Sequence, residues 1–169
     1  AVGVDEILQR TGISRCSFYY YFKTKEGFGA ELIDRYRLSI TQKLERCLSD
    51  TSLSPLGSLR AFVGEVRDEM ARTNCRSGCL AGKLAQEVNT LPENFREQLS
   101  AVFAEWQDVF ARGLKRAQET GEISPELDCA STAAFFWYGW EGALQRANLE
   151  LNIKPVDIFI GNFFSRLTG

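Results

Sequence analysis

Gly12 divides the beginning of the chain into two short helical segments, and this pattern constrains the fold more than any other feature. Val4, Ile7 and Leu8 have the spacing of one apolar helix face, and glycine readily adopts the left-handed conformation that ends a helix. Ser14 is a favourable N-cap for the second helix. Two short helices joined in this way predict a helix-turn-helix, whose second helix can enter the major groove of DNA. A packed helical hairpin without a DNA-binding role has the same spacing.

The second segment contains many side chains that can contact nucleic acid. Hydroxyl, aromatic and basic groups crowd residues 14–25, at Ser14, Arg15, Ser17, Tyr19, Tyr20, Tyr21, Lys23 and Lys25. The whole chain has a net charge of −2, but Arg10, Arg15, Lys23 and Lys25 lie together near its start. This local positive charge favours a sequence-specific reading head on an acidic body over a protein that coats DNA non-specifically.

The composition excludes several classes of active site. The chain has no histidine, which removes most histidine-based acid–base, triad and zinc chemistry. Its five cysteines have no regular spacing, which predicts free thiols in a cytoplasmic protein rather than a disulfide framework. No apolar run reaches the ~18 residues that a membrane span needs. We therefore predict no metal, no cofactor and no membrane association.

Helical periodicity extends over the rest of the chain, and no segment alternates in the manner of a strand. The expected helices cover residues 24–50, 55–74, 79–89 and 91–121, and two more begin at Ser124-Pro125-Glu126 and at Lys154-Pro155. The prediction is an all-α chain, with a helix-turn-helix DNA-binding domain over residues 1–46 and a larger helical domain over residues 47–169.

The segment VDEILQRTGISRCSFYYYFKTKEGFGAEL, residues 4–32, carries a dense motif. Its positions are Ile7, Gly12, Ile13, Ser14, Ser17, Phe18, Tyr19, Tyr21, Phe22, Thr24, Lys25, Glu26 and Phe28. This motif resembles the DNA-binding signature of the TetR family of bacterial repressors, and the match is far more specific than a bare helix-turn-helix.

The resemblance implies a set of DNA contacts. These are Ser14 and Lys25 on phosphates, Tyr19 on the backbone or a base, and Arg15, Ser17 and Tyr20 on base edges. Two positions depart from the family pattern: Cys16 stands where many relatives have Gly or Pro, and Gly3 where many have a phosphate-contacting Thr. The family also has a helix before this motif, so we expect sequence upstream of Ala1.

The body is unusually rich in aromatic residues. Aromatic side chains fill the cores of most helical proteins, and they also line ligand cavities between bundle helices. The sequence leaves both interpretations open. The candidate ligand-binding residues are Cys79, Trp106, Gln107, Phe110 and Trp137.

Residues 77–96 contain a second motif, carried by Gly78, Cys79, Leu80, Lys83, Leu84, Glu87, Val88, Leu91, Glu93 and Arg96. It resembles a TetR subgroup that responds to electrophiles such as N-ethylmaleimide. In the best-known member of that subgroup a reactive cysteine lies at the end of this helix, where this chain has Asn89, so the mechanism is not carried over intact. Cys79 offers another thiol, since a helix N-terminus lowers a thiol pKa. The alternative is a buried, unreactive Cys79.

The last two helices have the composition of an interface. Small residues on the penultimate helix allow close approach of another helix: Ala130, Ala133, Ala134, Gly139, Gly142, Ala143 and Ala147. The final helix has a broad apolar face: Val156, Phe159, Ile160, Phe163, Phe164 and Leu167. These features favour a homodimer built on a four-helix interface, as the resemblance also implies, over a buried terminal hairpin.

The sequence thus predicts a homodimeric repressor that binds a palindromic operator in double-stranded DNA and is released by a small-molecule effector. Two alternatives stay open. One is a helical small-molecule-binding or enzymatic bundle without DNA binding, although no catalytic constellation is apparent. The other is a repressor switched by modification of Cys79 or Cys16.

Overall fold

The computed structural model describes residues 3–168, which form eight α-helices and one short 3₁₀ helix. The α-helices are α1 (Val4–Thr11), α2 (Arg15–Phe22), α3 (Lys25–Ser49), α4 (Pro55–Arg72), α5 (Leu80–Gln86), α6 (Glu93–Glu119), α7 (Cys129–Glu150) and α8 (Lys154–Thr168). The 3₁₀ helix is Val88–Thr90. The predicted all-α fold is confirmed, since the described residues contain no strand.

The helix ends follow the capping chemistry of the sequence. Gly12 has φ 68°, the left-handed conformation that closes α1. Ser14 caps α2 by accepting the backbone N–H of Ser17 at 3.1 Å. Thr24 caps α3 in the same way, and Ser54 caps α4 with Pro55 in its first turn.

The predicted helix start at Ser124-Pro125-Glu126 is wrong, because α7 begins at Cys129. Gln118 Nε2 holds the preceding segment in an irregular course by donating to the carbonyl oxygens of Ser124, Pro125 and Leu127 at 2.9–3.1 Å. Asp128 then caps α7 by accepting the N–H groups of Ala130 and Ser131, both at 3.1 Å. The helix predicted over residues 79–89 is also shorter, and ends at Gln86.

Two sets of buried side chains stabilise the fold. In the head, which consists of α1, α2 and the first turn of α3, Phe18 is buried. Its ring packs against Phe22 and Phe28, with centroids 5.2 and 5.3 Å away. In the body, one continuous core runs from Ile33 on α3 to Phe164 on α8. The division of the chain at residues 46 and 47 stays a prediction, because α3 continues through it without a break.

Helix α3 has 25 residues and is therefore about 37 Å long. Its N-terminal turn belongs to the head, and the rest lies along α4, α5 and α6 of the body. Close contact begins at Gly29, where a Cβ atom would come within 2.8 Å of the Phe95 ring on α6. Ion pairs continue along the helix, including Arg37 to Glu105 at 2.7 Å and Lys43 to Glu69 at 2.6 Å. Any movement of the body that changes the tilt of α3 will move the head.

Across residues 3–168, every helix is too short or too polar to cross a lipid bilayer.

Candidate functional sites

Helix α2 presents a polar face to solvent. Phe18 and Phe22 point toward the head core, and the opposite side of the helix carries Cys16, Ser17 and Tyr20, which are all exposed. Tyr20 lies at the centre of this face and is 79% exposed. An exposed helix face of hydroxyl and phenol groups suits hydrogen bonding to base edges in the major groove.

The structure places each predicted DNA contact on or beside this face. Tyr19 is half-exposed and its ring packs edge-on against Phe18, 5.3 Å away. Ser14 caps α2 and also donates to the Ser17 hydroxyl at 2.9 Å. Arg15 pairs with Asp5 on α1, so this guanidinium must exchange a carboxylate for DNA to make a base contact.

Lys25 is held in place by the turn between α2 and α3. It occupies the first position of α3, is exposed, and forms no ion pair among residues 3–168. Gly27 allows the tight turn, since a Cβ atom there would lie 2.4 Å from the Phe22 carbonyl oxygen. A free ammonium group at a helix N-terminus, directly after α2, is well placed to bind a phosphate.

A second candidate site is a small cavity of about 20 Å³ inside the body. All three tryptophans of the chain line it, together with aromatic, aliphatic and polar side chains: Tyr36, Ile40, Phe62, Val66, Cys79, Trp106, Trp137, Trp140, Glu141 and Leu144. The rings of Trp106 and Trp137 stack with centroids 5.1 Å apart.

The structure brings together three of the five predicted ligand-binding residues, namely Cys79, Trp106 and Trp137. Phe110 and Gln107 do not line the cavity. Phe110 is buried one turn farther along α6 and stacks on Phe136 at 4.1 Å. Gln107 follows Trp106 directly, so the helix turns its side chain by about 100° away from the cavity.

Two polar side-chain atoms of α7 beside this cavity lack hydrogen-bond partners among the described residues. Among residues 3–168, neither Nε1 of Trp137 nor Oε1 of Glu141 has a partner, and both atoms are buried. The Glu141 carboxyl group lies against α5, where a Cβ atom on Gly82 would come within 1.9 Å of Oε2. Burial raises the pKa of Glu141 to about 7, and a hydrogen bond from Cys79 opposes this only partly.

Cys79 does not have the lowered pKa that its place before α5 predicts. Its side chain is 7% exposed, and its sulfur accepts the N–H of Gly82 at 3.3 Å. Burial and the charge of Glu141 raise the pKa of the Cys79 thiol well above its ordinary value. Burial likewise raises the pKa of Tyr36, which reaches this cluster from α3. Cys16, in contrast, is exposed on the polar face of α2.

Sequence reasoning missed Tyr36 and Glu141. A signal for Glu141 was present, because it is the one acidic residue in the otherwise apolar and aromatic run FFWYGWEGAL. Tyr36 had no such signal. It lies near Glu141 only in the folded protein, because the two residues are more than a hundred positions apart in the chain.

The inner cavity adjoins an open cleft of about 420 Å³ between α5 and α7. Cys79, Glu141 and Leu144 line both spaces. Lys83 and Arg146 are cations of the outer cleft, and Arg146 pairs with Glu150. Glu141 therefore lies between the aromatic cavity and the polar outer cleft.

Comparison with known proteins agrees with the all-α fold and with the N-terminal helix-turn-helix. Residues 1–32 match the family described as "Bacterial regulatory proteins, tetR family", and residues 55–163 match "Tetracyclin repressor-like, C-terminal domain". The transcriptional regulator AcuR of Cereibacter sphaeroides is 42% identical over 96% of this chain and 74% of its own. The transcriptional repressor NemR of Escherichia coli is 26% identical over 92% of this chain and 78% of its own.

Solved structures give the same result. A regulatory protein TetR from Rhodobacter sphaeroides superposes with a TM-score of 0.92 at 42% identity, covering 96% of this chain and 86% of that one. The reduced form of E. coli NemR superposes at 0.87 with 22% identity, covering 99% and 86%, which shows a shared fold. The matched relatives are named as transcriptional regulators and repressors, not as enzymes. The chain belongs to the TetR family of bacterial transcriptional regulators.

Proposed function

We propose that this protein is a homodimeric repressor that leaves a palindromic operator when a small molecule enters the cavity around Trp137 and Glu141. The observation that carries the proposal is the position of Tyr36. This residue belongs to α3, the helix that supports the head, and it is also a wall of the cavity. A ligand that displaces Tyr36 therefore changes the packing of the helix that carries the DNA-binding surface.

DNA binding rests on the geometry of α2 and the start of α3. Tyr20 and Ser17 would contact base edges, while Lys25 would bind a phosphate and set the register. Such a protein would act in the cytoplasm, where it has access to chromosomal DNA.

Dimer formation is supported by large exposed residues on α7 and α8. Each of four apolar or aromatic side chains is more than half exposed: Phe135, Tyr138 and Leu149 on α7, and Ile158 on α8. Gly142 has open space around it, so another helix could approach closely. Of the six final-helix residues that the sequence assigned to this interface, Val156, Phe163 and Phe164 are buried against their own body, and Phe159, Ile160 and Leu167 are partly buried.

The proposed mechanism is a shift between two packings of α3. In one, the heads of the dimer are spaced to enter successive major grooves. A ligand that binds more tightly to the other packing lowers the affinity for DNA. The largest possible decrease equals the ratio of the ligand's affinities for the two packings.

The test is selection of a binding site from random duplex DNA, followed by titration in a gel-shift assay over a range of salt concentrations. Tyr20→Ala should weaken the specific complex by about 1–3 kcal/mol, as expected for a lost base contact. Lys25→Ala should weaken binding to all sequences and reduce the slope of log affinity against log salt by about 1. Lys115→Ala is the matched control, because Lys115 is exposed on α6 of the body. Failure to select any sequence, or equal effects of Lys25→Ala and Lys115→Ala, would refute the assignment of the DNA-binding surface.

A further inference from the structure

We propose that the effector is a small protonated amine whose ammonium group binds Oε1 of Glu141 and whose neighbouring oxygen accepts the N–H of Trp137. This inference rests on the proposed function and identifies the chemical class of the ligand at the same cavity.

The charge at Glu141 gives the first argument. Its Oε1 atom is buried, its carboxyl group lies against Gly82 and beside Tyr36 and Cys79, and it forms no ion pair within residues 3–168. A buried carboxylate without a cation is strongly unfavourable, so the group retains its proton to unusually high pH. A ligand ammonium would supply the missing positive charge and the missing hydrogen-bond donor together. An anionic ligand would be repelled by the same group once it ionises.

The aromatic walls give the second argument. The rings of Trp106, Trp137, Trp140, Phe62 and Tyr36 all line the space that adjoins Glu141. Cations are attracted to the faces of such rings, and most strongly to the face of tryptophan. Aromatic rings around a single carboxylate form a combination suited to an organic cation.

Trp137 restricts the chemical class of the ligand further. Its side chain is 2% exposed, and the unpartnered Nε1 can act only as a donor. Trp137 and Glu141 are one turn apart on α7, so their polar atoms face the same side of the helix. A small compound that carries both an ammonium group and an oxygen can present one group to each of these atoms, and its entry must enlarge a cavity of only about 20 Å³.

The electrostatic surroundings of Glu141 define how binding depends on pH. The titratable groups that face it are Tyr36 from α3 and Cys79 from the start of α5, and burial keeps both in their neutral forms near pH 7. Lys83 of α5 and Arg146 of α7 line the outer cleft. Since Glu141 must ionise to pair with an ammonium, binding should tighten as the pH rises through about 7.

The experiment uses ethanolamine as the probe, with propylamine lacking the oxygen and ethylene glycol lacking the ammonium. Binding is followed by tryptophan fluorescence, because all three tryptophans line the cavity. The buffers must be free of Tris, which is itself an amine. We expect ethanolamine to bind more tightly than propylamine, and ethylene glycol not to bind. Between pH 6 and pH 8 the affinity for ethanolamine should rise about tenfold, as the ionised fraction of a group with pKa about 7 does.

Two substitutions test the assigned contacts. Glu141→Gln keeps the shape of the side chain and should lower ethanolamine affinity at pH 8 at least about tenfold. Glu87→Gln removes the same charge from an exposed position and should leave the affinity unchanged. Trp137→Phe keeps an aromatic ring but removes the N–H, so it should reduce ethanolamine affinity to that of propylamine and leave propylamine unaffected.

The proposal is overturned if no amine binds, if ethylene glycol binds as tightly as ethanolamine, or if Glu141→Gln and Glu87→Gln behave alike. It is also overturned if ethanolamine binds but leaves the DNA complex intact, because the amine is then not the effector. Failure of the untreated protein to bind any selected DNA is a different result, and refutes the repressor function rather than the ligand class.

Discussion

Glu141→Gln is expected to stabilise the folded protein at pH 8 and to have little effect at pH 5. The pKa of Glu141 is about 7 in the folded protein, against an ordinary value of 4.5. The folded state therefore binds a proton more tightly than the unfolded state. Stability falls as the pH rises from 4.5 to about 7, because ionisation is easier in the unfolded chain.

The size of this effect follows from the difference between the two pKa values. A change from 4.5 to about 7 corresponds to about 3 kcal/mol once the pH exceeds both values. A glutamine carries no charge at any pH and has nearly the shape of a protonated glutamate. The substitution should therefore remove the loss of stability that ionisation of Glu141 causes at pH 8. At pH 5 it replaces one neutral side chain by another.

The measurement is urea unfolding of wild type and Glu141→Gln at pH 5, 6, 7 and 8, at one fixed protein concentration because a dimer is expected. The difference in free energy of unfolding should grow in favour of the variant across this range. Glu87→Gln, at an exposed carboxylate, should show no such trend. A difference for Glu141→Gln that is the same at every pH would refute the reasoning, because it would mean that the carboxyl group is not held neutral by burial.

Two further predictions concern packing and assembly. Gly113→Ala should destabilise the fold by about 1–3 kcal/mol in urea unfolding, because a Cβ atom there would lie 2.7 Å from Leu59 Cδ2 and 2.9 Å from Leu48 Cδ2. Gly64→Ala, which adds a Cβ atom in open space within α4, should instead stabilise the protein by about 0.5–1 kcal/mol; equal effects of the two changes would contradict the packing. Tyr138→Arg should convert the dimer to a monomer in sedimentation analysis without loss of helical circular dichroism, since Tyr138 is 71% exposed on the proposed interface. A variant that still sediments as a dimer would exclude this interface.

Local chemistry made the head predictable from sequence. The left-handed Gly12, the Ser14 cap and the inward Phe18 each follow from the properties of a single residue and its near neighbours. The Thr24 cap of α3 and the Ser54 cap of α4 rest on the same local chemistry. Prediction from local chemistry failed at Ser124-Pro125, where a side chain from α6 holds the backbone outside the helix, because that contact lies beyond any local pattern.

The cavity was only partly predictable because it is assembled from distant segments. Helical periodicity shows that Trp106 and Trp137 face the core, but it does not show which helices meet there. Tyr36, Cys79 and Glu141 come from α3, the start of α5 and α7, and their cluster exists only after those elements pack. The sequence left open whether Cys79 is reactive, and the pKa of its thiol depends on the same distant packing. A helix N-terminus lowers a thiol pKa, but the burial and the nearby carboxyl group that raise it are tertiary effects.

The two candidate sites meet on α3, and the forces on that helix suit it to a switch. Along its outer side, the pairs Lys43 to Glu69 and Arg46 to Glu65 are partly exposed, and such pairs contribute little to stability. Along its inner side, Tyr36 lines the cavity of about 20 Å³. Glu141 lines the same cavity, and burial raises the pKa of its carboxyl group to about 7. In the proposed mechanism, an ammonium ligand would require both an ionised Glu141 and a larger cavity, so its binding would favour displacement of Tyr36. In the proposed mechanism, the partly exposed ion pairs of α3 would resist this displacement only weakly, and the main resistance would come from the buried side chains Ile33, Ile40 and Leu44.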